Sequence, residues 1–176
     1  MTLRAGELLL RPWDVEADLD AVVEAYADPD MQLWNGGTTD QDAVRAQLVR
    51  LADWSSGTHA SFAVVSPSDE VLASVSLHAV NQKQLNGHVG SWTAPGARGR
   101  GVMTQVVRAA CRYAFTDLGL LRLEIYHAVE NVASGRVAEK AGFQREGRLR
   151  QSYLCGDGVK HDEYLWARLA SDPAPT

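Results

Sequence analysis

The sequence predicts an α+β domain, with about four helices covering a twisted, mixed but mostly antiparallel sheet of about seven strands. Three observations lead there. Apolar runs bounded by turn residues recur, as at 59–65 (HASFAVV), 71–77 (VLASVSL) and 120–127 (LLRLEIYH). Stretches with helical spacing stand among them without the strict alternation of a βαβαβ array. The chain closes on two long strands around the turn Cys155-Gly156-Asp157-Gly158, which reads as a hairpin.

Taken in order, 7–13 (ELLLRPW) is a first strand stopped by Pro12. Asp14 is an N-cap for a helix in which Leu19, Val22, Val23 and Tyr26 share a face, ended by Asp28-Pro29-Asp30. Residues 31–37 read as a loop carrying an apolar group, Leu33 and Trp34 beside Asn35. Asp40 opens a second helix along Val44, Leu48 and Leu51, with Gly57 to close it. Two strands follow, 59–65 and 71–77, joined by the turn Ser66-Pro67-Ser68-Asp69. The polar segment 81–87 is a hairpin loop leading to a strand from His88 to Thr93. After a Pro95-Gly96 turn and the loop Arg98-Gly99-Arg100-Gly101 comes a long helix. Met103, Val106, Val107, Ala110, Cys111, Ala114 and Leu118 form its apolar stripe, so it lies on a sheet. The strand 120–127 leads to a short helix with Asn131 as N-cap and Gly142 just past its end. Strands 144–154 and 159–169 complete a single domain over 1–170, and 171–176 is expected to be a flexible tail.

Composition narrows the function classes. A chain of 176 residues with 45% hydrophobic and 22% charged content can bury one well-covered core and is expected to be soluble and globular. The net charge of −5 offers no general attraction to nucleic acid or anionic membrane, so neither is expected as a partner, whereas cationic amines suit it. The apolar run Leu8-Leu9-Leu10 is too short for a signal peptide or a membrane span. Cys111 and Cys155 lack any CxxC spacing, which makes a reduced cytoplasmic setting the default. His59, His78, His88, His127 and His161 show no paired metal spacing, and no metal is expected.

The most informative stretch is 89–114, VGSWTAPGARGRGVMTQVVRAACRYA. Gly99 and Gly101, with no Cβ in the way, let backbone N–H groups crowd toward one point. The following helix adds its unpaired first-turn N–H groups and the positive end of its dipole, and Arg98 and Arg100 flank the same point. That is a cradle for a phosphate-like anion. A dinucleotide fingerprint fails, because Thr104 stands at the third glycine of GxGxxG and Glu124, spaced like the ribose-binding acid, lies inside a strand. A P-loop fails for lack of GK[ST]. The plain alternative is a glycine-rich turn with solvated arginines.

A strand, APGARGRG, a helix, a strand and then NVASGRVAEKAGF resemble the GNAT superfamily of acetyl-CoA-dependent N-acetyltransferases, and within it the RimJ/RimL-type family most. The resemblance spans nearly the whole chain: LRPW, GSWTAPGARGRGVMT, YAFTDLGLLRLE, ENVASGRVAEKAGF, REGRLR and KHDEYLW. It implies the GNAT fold and acetyl-CoA as cosubstrate. The family's Q/R-x-x-G-x-G/A loop falls on Arg98, Gly99, Arg100, Gly101, Val102 and Met103, whose amides would take the CoA pyrophosphate with Thr104 beside them. Met103 departs from the small residue usual there. Ser91, Trp92 and Thr93 match the strand that pairs through its backbone with the pantetheine arm, and Asn131 and Ser134 match residues facing the arm and the sulfur. An N-cap for Asn131, and capping or solvent exposure for Ser134, are the ordinary alternatives.

The implied chemistry is attack of a neutral amine on a thioester carbonyl. An α-amino group costs about 1–1.4 kcal/mol to deprotonate at pH 7, and a lysine about 4.6 kcal/mol. His88 stands where many relatives carry Glu, and an imidazole, with an ordinary pKa near 6.5, is a competent base; an exposed strand histidine is its plain alternative. Tyr153 stands where some RimL-type members place a carboxylate, and would hydrogen-bond substrate or water. The tyrosine that other GNAT enzymes use to protonate the thiolate maps to Ala138, leaving that role to Ser134 or water. A backbone N–H near Thr93 is the expected oxyanion donor. Trp34, Asn35, His78 and the 153–164 hairpin are candidates for the acceptor pocket, with Asp162 and Glu163 to attract a cation. The leading expectation is acetylation of a protein N-terminal α-amine. The alternatives are a small amine such as an aminoglycoside, polyamine or amino acid, and a non-catalytic CoA-binding module. Dimers are frequent among similar proteins, and a homodimer is kept as an expectation.

Overall fold

Strands that are apolar on both faces require cover on both sides, and this chain supplies it. The structure, a computed structural model, describes residues 1–175. The strands are β1 (Leu3–Ala5), β2 (Leu8–Arg11), β3 (Ala60–Val65), β4 (Val71–Asn81), β5 (Asn86–Thr93), β6 (Arg122–Ala128), β7 (Gln144–Leu154) and β8 (Lys160–Leu169). The helices are α1 (Val15–Tyr26), α2 (Pro29–Asn35), α3 (Gln41–Ala52), α4 (Val102–Thr116) and α5 (Val132–Lys140). All eight strands form one sheet in the order β1-β2-β3-β4-β5-β6-β8-β7. Every neighbouring pair is antiparallel except β5 with β6.

Every residue of β3 is buried, because helices lie on both faces of the sheet. On one face, Phe62, Val64, Val75, Leu77, Val89 and Leu123 meet the stripe Val106, Val107, Ala110, Cys111 and Ala114 of α4. On the other, Ala63 and Val65 pack with Leu19, Val22 and Tyr26 of α1 and Val44 and Leu48 of α3. The ion pair of Arg11 with Asp18 stitches the end of β2 to α1: Arg11 donates twice to the buried carboxylate, each at 2.8 Å, and the Asp14 N–H donates to it at 2.9 Å.

The α+β layering matches the expectation, with one strand and one helix beyond the approximate counts. Gly6, at φ +64°, folds Leu3–Ala5 back on Leu8–Arg11, so the first strand is a hairpin. The apolar group expected in a loop at 31–37 lies instead on α2. Asp28 caps it, accepting from the Met31 N–H at 3.1 Å, Pro29 is its first residue, and Gly36 ends it in the left-handed region. Helix α3 stops at Ala52 and not at Gly57, and the indole of Trp54 donates to the Leu51 carbonyl at 2.9 Å. At the chain's end, Asp172 accepts from the Leu169 N–H at 2.8 Å and Pro175 lies beside Gly142.

Candidate active site

The site begins where two parallel strands part. β5 and β6 pair at Asn86↔Arg122, Gly87↔Leu123 and His88↔Glu124, and then separate. Beyond that fork, Val89–Thr93 and Ile125–Ala128 line the two sides of a cleft of about 820 Å³. Among the described residues the inner edge of β5 from Val89 onward has no strand partner on that side, so apart from the Thr93 carbonyl, which accepts from Arg98 Nε at 3.3 Å, its backbone groups are open to an extended ligand. Helix α5 closes one flank: Asn131 caps it by accepting from the Ser134 N–H at 3.1 Å, and both residues line the cleft.

At the fork sits a cluster of rings on one sheet face. The imidazole of His88 lies 5.4 Å from that of His78 and 5.2 Å from the ring of Tyr126, centroid to centroid. Its Nε2 is 3.4 Å from Glu124 Oε2. The same carboxylate accepts from Arg122 Nε at 2.8 Å and from the Tyr126 hydroxyl at 2.6 Å. Burial works against ionisation of Glu124, but the Tyr126 hydroxyl, Arg122 and His88 outweigh it and hold the carboxyl below its usual range. Burial and the bond to Glu124 push the Tyr126 phenol up to about 12. Burial, aided by the neighbouring His88, lowers His78, so that ring is neutral at pH 7.

The far wall comes from α2 and the β7–β8 turn, which lock together. The Gly156 N–H donates to the Leu33 carbonyl at 2.9 Å, and Trp34 meets His161 edge-on at 5.9 Å. His161 reaches Asp157 at 2.9 Å and Glu130 at 3.3 Å, which raise its pKa. Trp34, Asn35, Tyr153, Cys155 and Glu163 thereby face the cleft that β5 and β6 open.

The glycine loop lies at the start of α4. Gly99 and Gly101 take φ of +75° and +74°, and apart from their chain neighbours no atom of the described residues lies within 4 Å of where a Cβ would stand on either. Helix α4 starts without a side-chain cap, so its first-turn N–H groups open onto that space.

Residues 7–144 match the family model for the acetyltransferase (GNAT) domain. The chain belongs to the GNAT acetyltransferase family. It is 38% identical over 95 residues to the putative ribosomal N-acetyltransferase YdaF of Bacillus subtilis, a match covering 54% of this chain and 51% of that protein. Thus the chain spans about half the length of that relative. Among solved structures it is similar to RimL, a ribosomal α-N-protein acetyltransferase in complex with coenzyme A. The TM-score is 0.86 at 22% identity, covering 96% of this chain and 98% of RimL. It is also similar to the spermidine N-acetyltransferase of Vibrio cholerae in complex with CoA and spermine. There the TM-score is 0.82 at 21% identity, covering 94% and 97%.

A GNAT enzyme uses acetyl-CoA, and the residues here fit that cosubstrate. The space over Gly99 and Gly101, which a Cβ would enter, adjoins the uncapped α4. The cleft edge runs along Ser91–Thr93 to Arg98 and Met103, whereas Gly99, Arg100, Gly101, Val102 and Thr104 do not line it. Val102 and Met103 are buried among the core side chains, Met103 also lining the cleft, so at the start of α4 it is mainly their N–H groups that are available. Trp92 is anchored against Trp13 and Tyr26, fixing the strand whose backbone is exposed to the cleft.

The cleft gathers His88, Ser134, Tyr153, Ser91, Trp92, Thr93, Arg98, Met103, Asn131, Trp34, Asn35 and His78 of the expected set. Two expectations change. Arg98 does not point freely at an anion: it is ion-paired to Asp28 and Asp30 and donates to the Thr93 carbonyl, tying the cradle to α2. Asp162 does not line the cleft, because its carboxylate accepts from Arg148 Nε and the Gln151 N–H, both at 2.8 Å; its neighbour Glu163 lines it instead. Sequence reasoning missed the pairing of Glu124 with His88. Strand register carries that information, and one-residue periodicity does not reveal which strands are neighbours.

Proposed function

We propose that this GNAT N-acetyltransferase acetylates a protein N-terminal α-amine, with His88 as the base that takes the ammonium proton. The observation that carries the reading is the ring cluster at the fork, where an imidazole backed by a carboxylate faces the cleft. A base of that strength suffices for an α-amine, whose deprotonation at pH 7 costs about 1–1.4 kcal/mol, and falls short for a lysine at about 4.6 kcal/mol. Bound acetyl-CoA supplies a thioester carbonyl open to attack. The free edge of β5 aligns the arm, a backbone N–H near Thr93 faces the developing oxyanion, and Ser134 or water protonates the departing sulfur. Tyr153 holds the acceptor or a water beside it. RimL and YdaF, named for ribosomal proteins, support a protein acceptor.

A second reading is a small polycationic amine, favoured by the acidic groups that line the cleft, Asp30, Glu130 and Glu163. The spermidine acetyltransferase relationship supports it. Acetyl-CoA consumption with peptides of varied first residue, against a panel of polyamines, aminoglycosides and amino acids, separates the two. Activity on small amines alone overturns the protein acceptor. His88→Ala is expected to lower turnover at least tenfold, within the about 10²–10⁴-fold that a general base supplies, with acetyl-CoA affinity unchanged. Unchanged turnover between pH 6 and 8 removes His88 as the base.

A further inference from the structure

Glu124 is built into the site more firmly than a surface strand residue needs to be. Its side chain is 16% exposed. One oxygen accepts from Arg122 Nε at 2.8 Å, the other from the Tyr126 hydroxyl at 2.6 Å. Arg122 is itself held from the far side by Glu146, at 3.0 and 2.6 Å. A carboxylate clamped from two directions has little freedom to turn, and the oxygen shared with Tyr126 stands 3.4 Å from His88 Nε2. Strand register puts them there: His88 and Glu124 are opposite residues in the last β5–β6 pair before the strands part.

We propose that Glu124 is a positioning residue for the acetyl transfer. It keeps the His88 ring proton on Nε2 and thereby leaves the Nδ1 lone pair to accept the proton of the incoming amine. The inference rests on the reading of His88 as the base. Two facts support it besides the distance. Of the two ring nitrogens of His88, Nε2 is the one that faces the carboxylate, and neither makes a hydrogen bond among the described residues. The ring is flanked by His78 on one side and Tyr126 on the other, which limits rotation. The charged and titratable groups around it are therefore His78 on β4 and Glu124, Tyr126 and Arg122 on β6. His78 is neutral at working pH and Tyr126 keeps its proton, so Glu124 carries the charge that the imidazolium meets once it has taken the proton. At 3.4 Å the two groups stand at ion-pair distance.

The proton balance is simple. The ammonium of the acceptor gives one proton to Nδ1, and the freed amine forms its C–N bond to the thioester carbonyl; as the C–S bond breaks, the nitrogen loses its second proton and the departing thiolate takes one up through Ser134 or water, and the imidazolium returns its proton to solvent. Glu124 stays ionised throughout, as the orienting carboxylate of a nucleophile–base–carboxylate triad does.

Glu124→Gln keeps volume and removes charge; Glu124→Ala removes the orienting group. In Glu124→Gln, turnover is expected to fall about tenfold with the acetyl-CoA KM unchanged. The ring ¹⁵N shifts of His88 report one tautomer in the parent and a mixture in Glu124→Ala, independently of activity. Melting temperature serves as a folding check, and Arg122 retains Glu146 in both variants. An unmoved tautomer overturns the proposal while leaving His88 as the base. Unchanged turnover in His88→Ala overturns it by removing the base itself.

Discussion

Gly156→Ala puts one methyl group between the two elements that wall the acceptor side. A Cβ at this position would stand 2.0 Å from the Gln32 carbonyl oxygen and 2.8 Å from its carbon. Both atoms belong to the backbone of α2, which is pinned by Asp28 at one end and Gly36 at the other, so the helix cannot swing a side chain aside. The β7–β8 turn must retreat by about 1 Å to relieve the overlap, and the 2.9 Å bond from the Gly156 N–H to Leu33 then passes beyond hydrogen-bond reach. That loses about 1 kcal/mol, and parting the Trp34–His161 edge contact loses about another 1 kcal/mol. A total of about 2 kcal/mol leaves the protein folded, since domains commonly have about 5–15 kcal/mol in hand. Thermal unfolding should drop by about 4–8 °C. Steady-state kinetics should show a raised KM for the amine, because Trp34, Tyr153 and Cys155 separate, and an unchanged KM for acetyl-CoA, as its proposed seat at the start of α4 lies away from this turn. A variant with wild-type melting temperature and wild-type amine KM would refute the docking of this turn on α2 as the source of the pocket wall.

Gly101→Trp is expected to abolish CoA binding by calorimetry, whereas Gly101→Ala lowers stability by only about 1–2 kcal/mol from its left-handed backbone, because no protein atom lies near the new Cβ. His161, raised by Asp157 and Glu130, stabilises the fold fully below an unfolded pKa of about 6.5 and loses that contribution as pH rises through its higher folded value. Melting curves of the parent and His161→Gln should accordingly differ more at pH 6 than at pH 9; equal differences would contradict the contact. Asp18→Ala leaves Arg11 with Asp69 and the Pro12 carbonyl but without its buried counter-charge, and is expected to lower stability by about 3 kcal/mol in denaturant titration.

Much of this architecture is legible in one dimension because its signals are local. The caps Asp14, Asp40 and Asn131 each accept the N–H three residues on, as their place before an apolar-periodic run requires. The stripe on α4 and the glycines at its start are likewise patterns within one segment, and they are enough to mark an anion cradle. Helix α2 was equally writable, since Asp28, Pro29 and Gly36 are a cap, a first residue and a stop; the same Asp-Pro pair also terminates α1, and that use masked the other.

What tertiary structure alone decided is which distant residues share a point in space. The parting of β5 and β6, the approach of Glu124 to His88, the diversion of Arg98 to Asp28 and the seating of Gly156 on α2 all join residues far apart in the chain. Each depends on strand order and register, which follow from how whole faces bury against α1, α3 and α4, not from any residue's own neighbours. The sequence by itself marked a candidate anion cradle and, through its family pattern, acetyl transfer as the chemistry. Packing determined which carboxylate stands beside His88 and which elements wall the cleft.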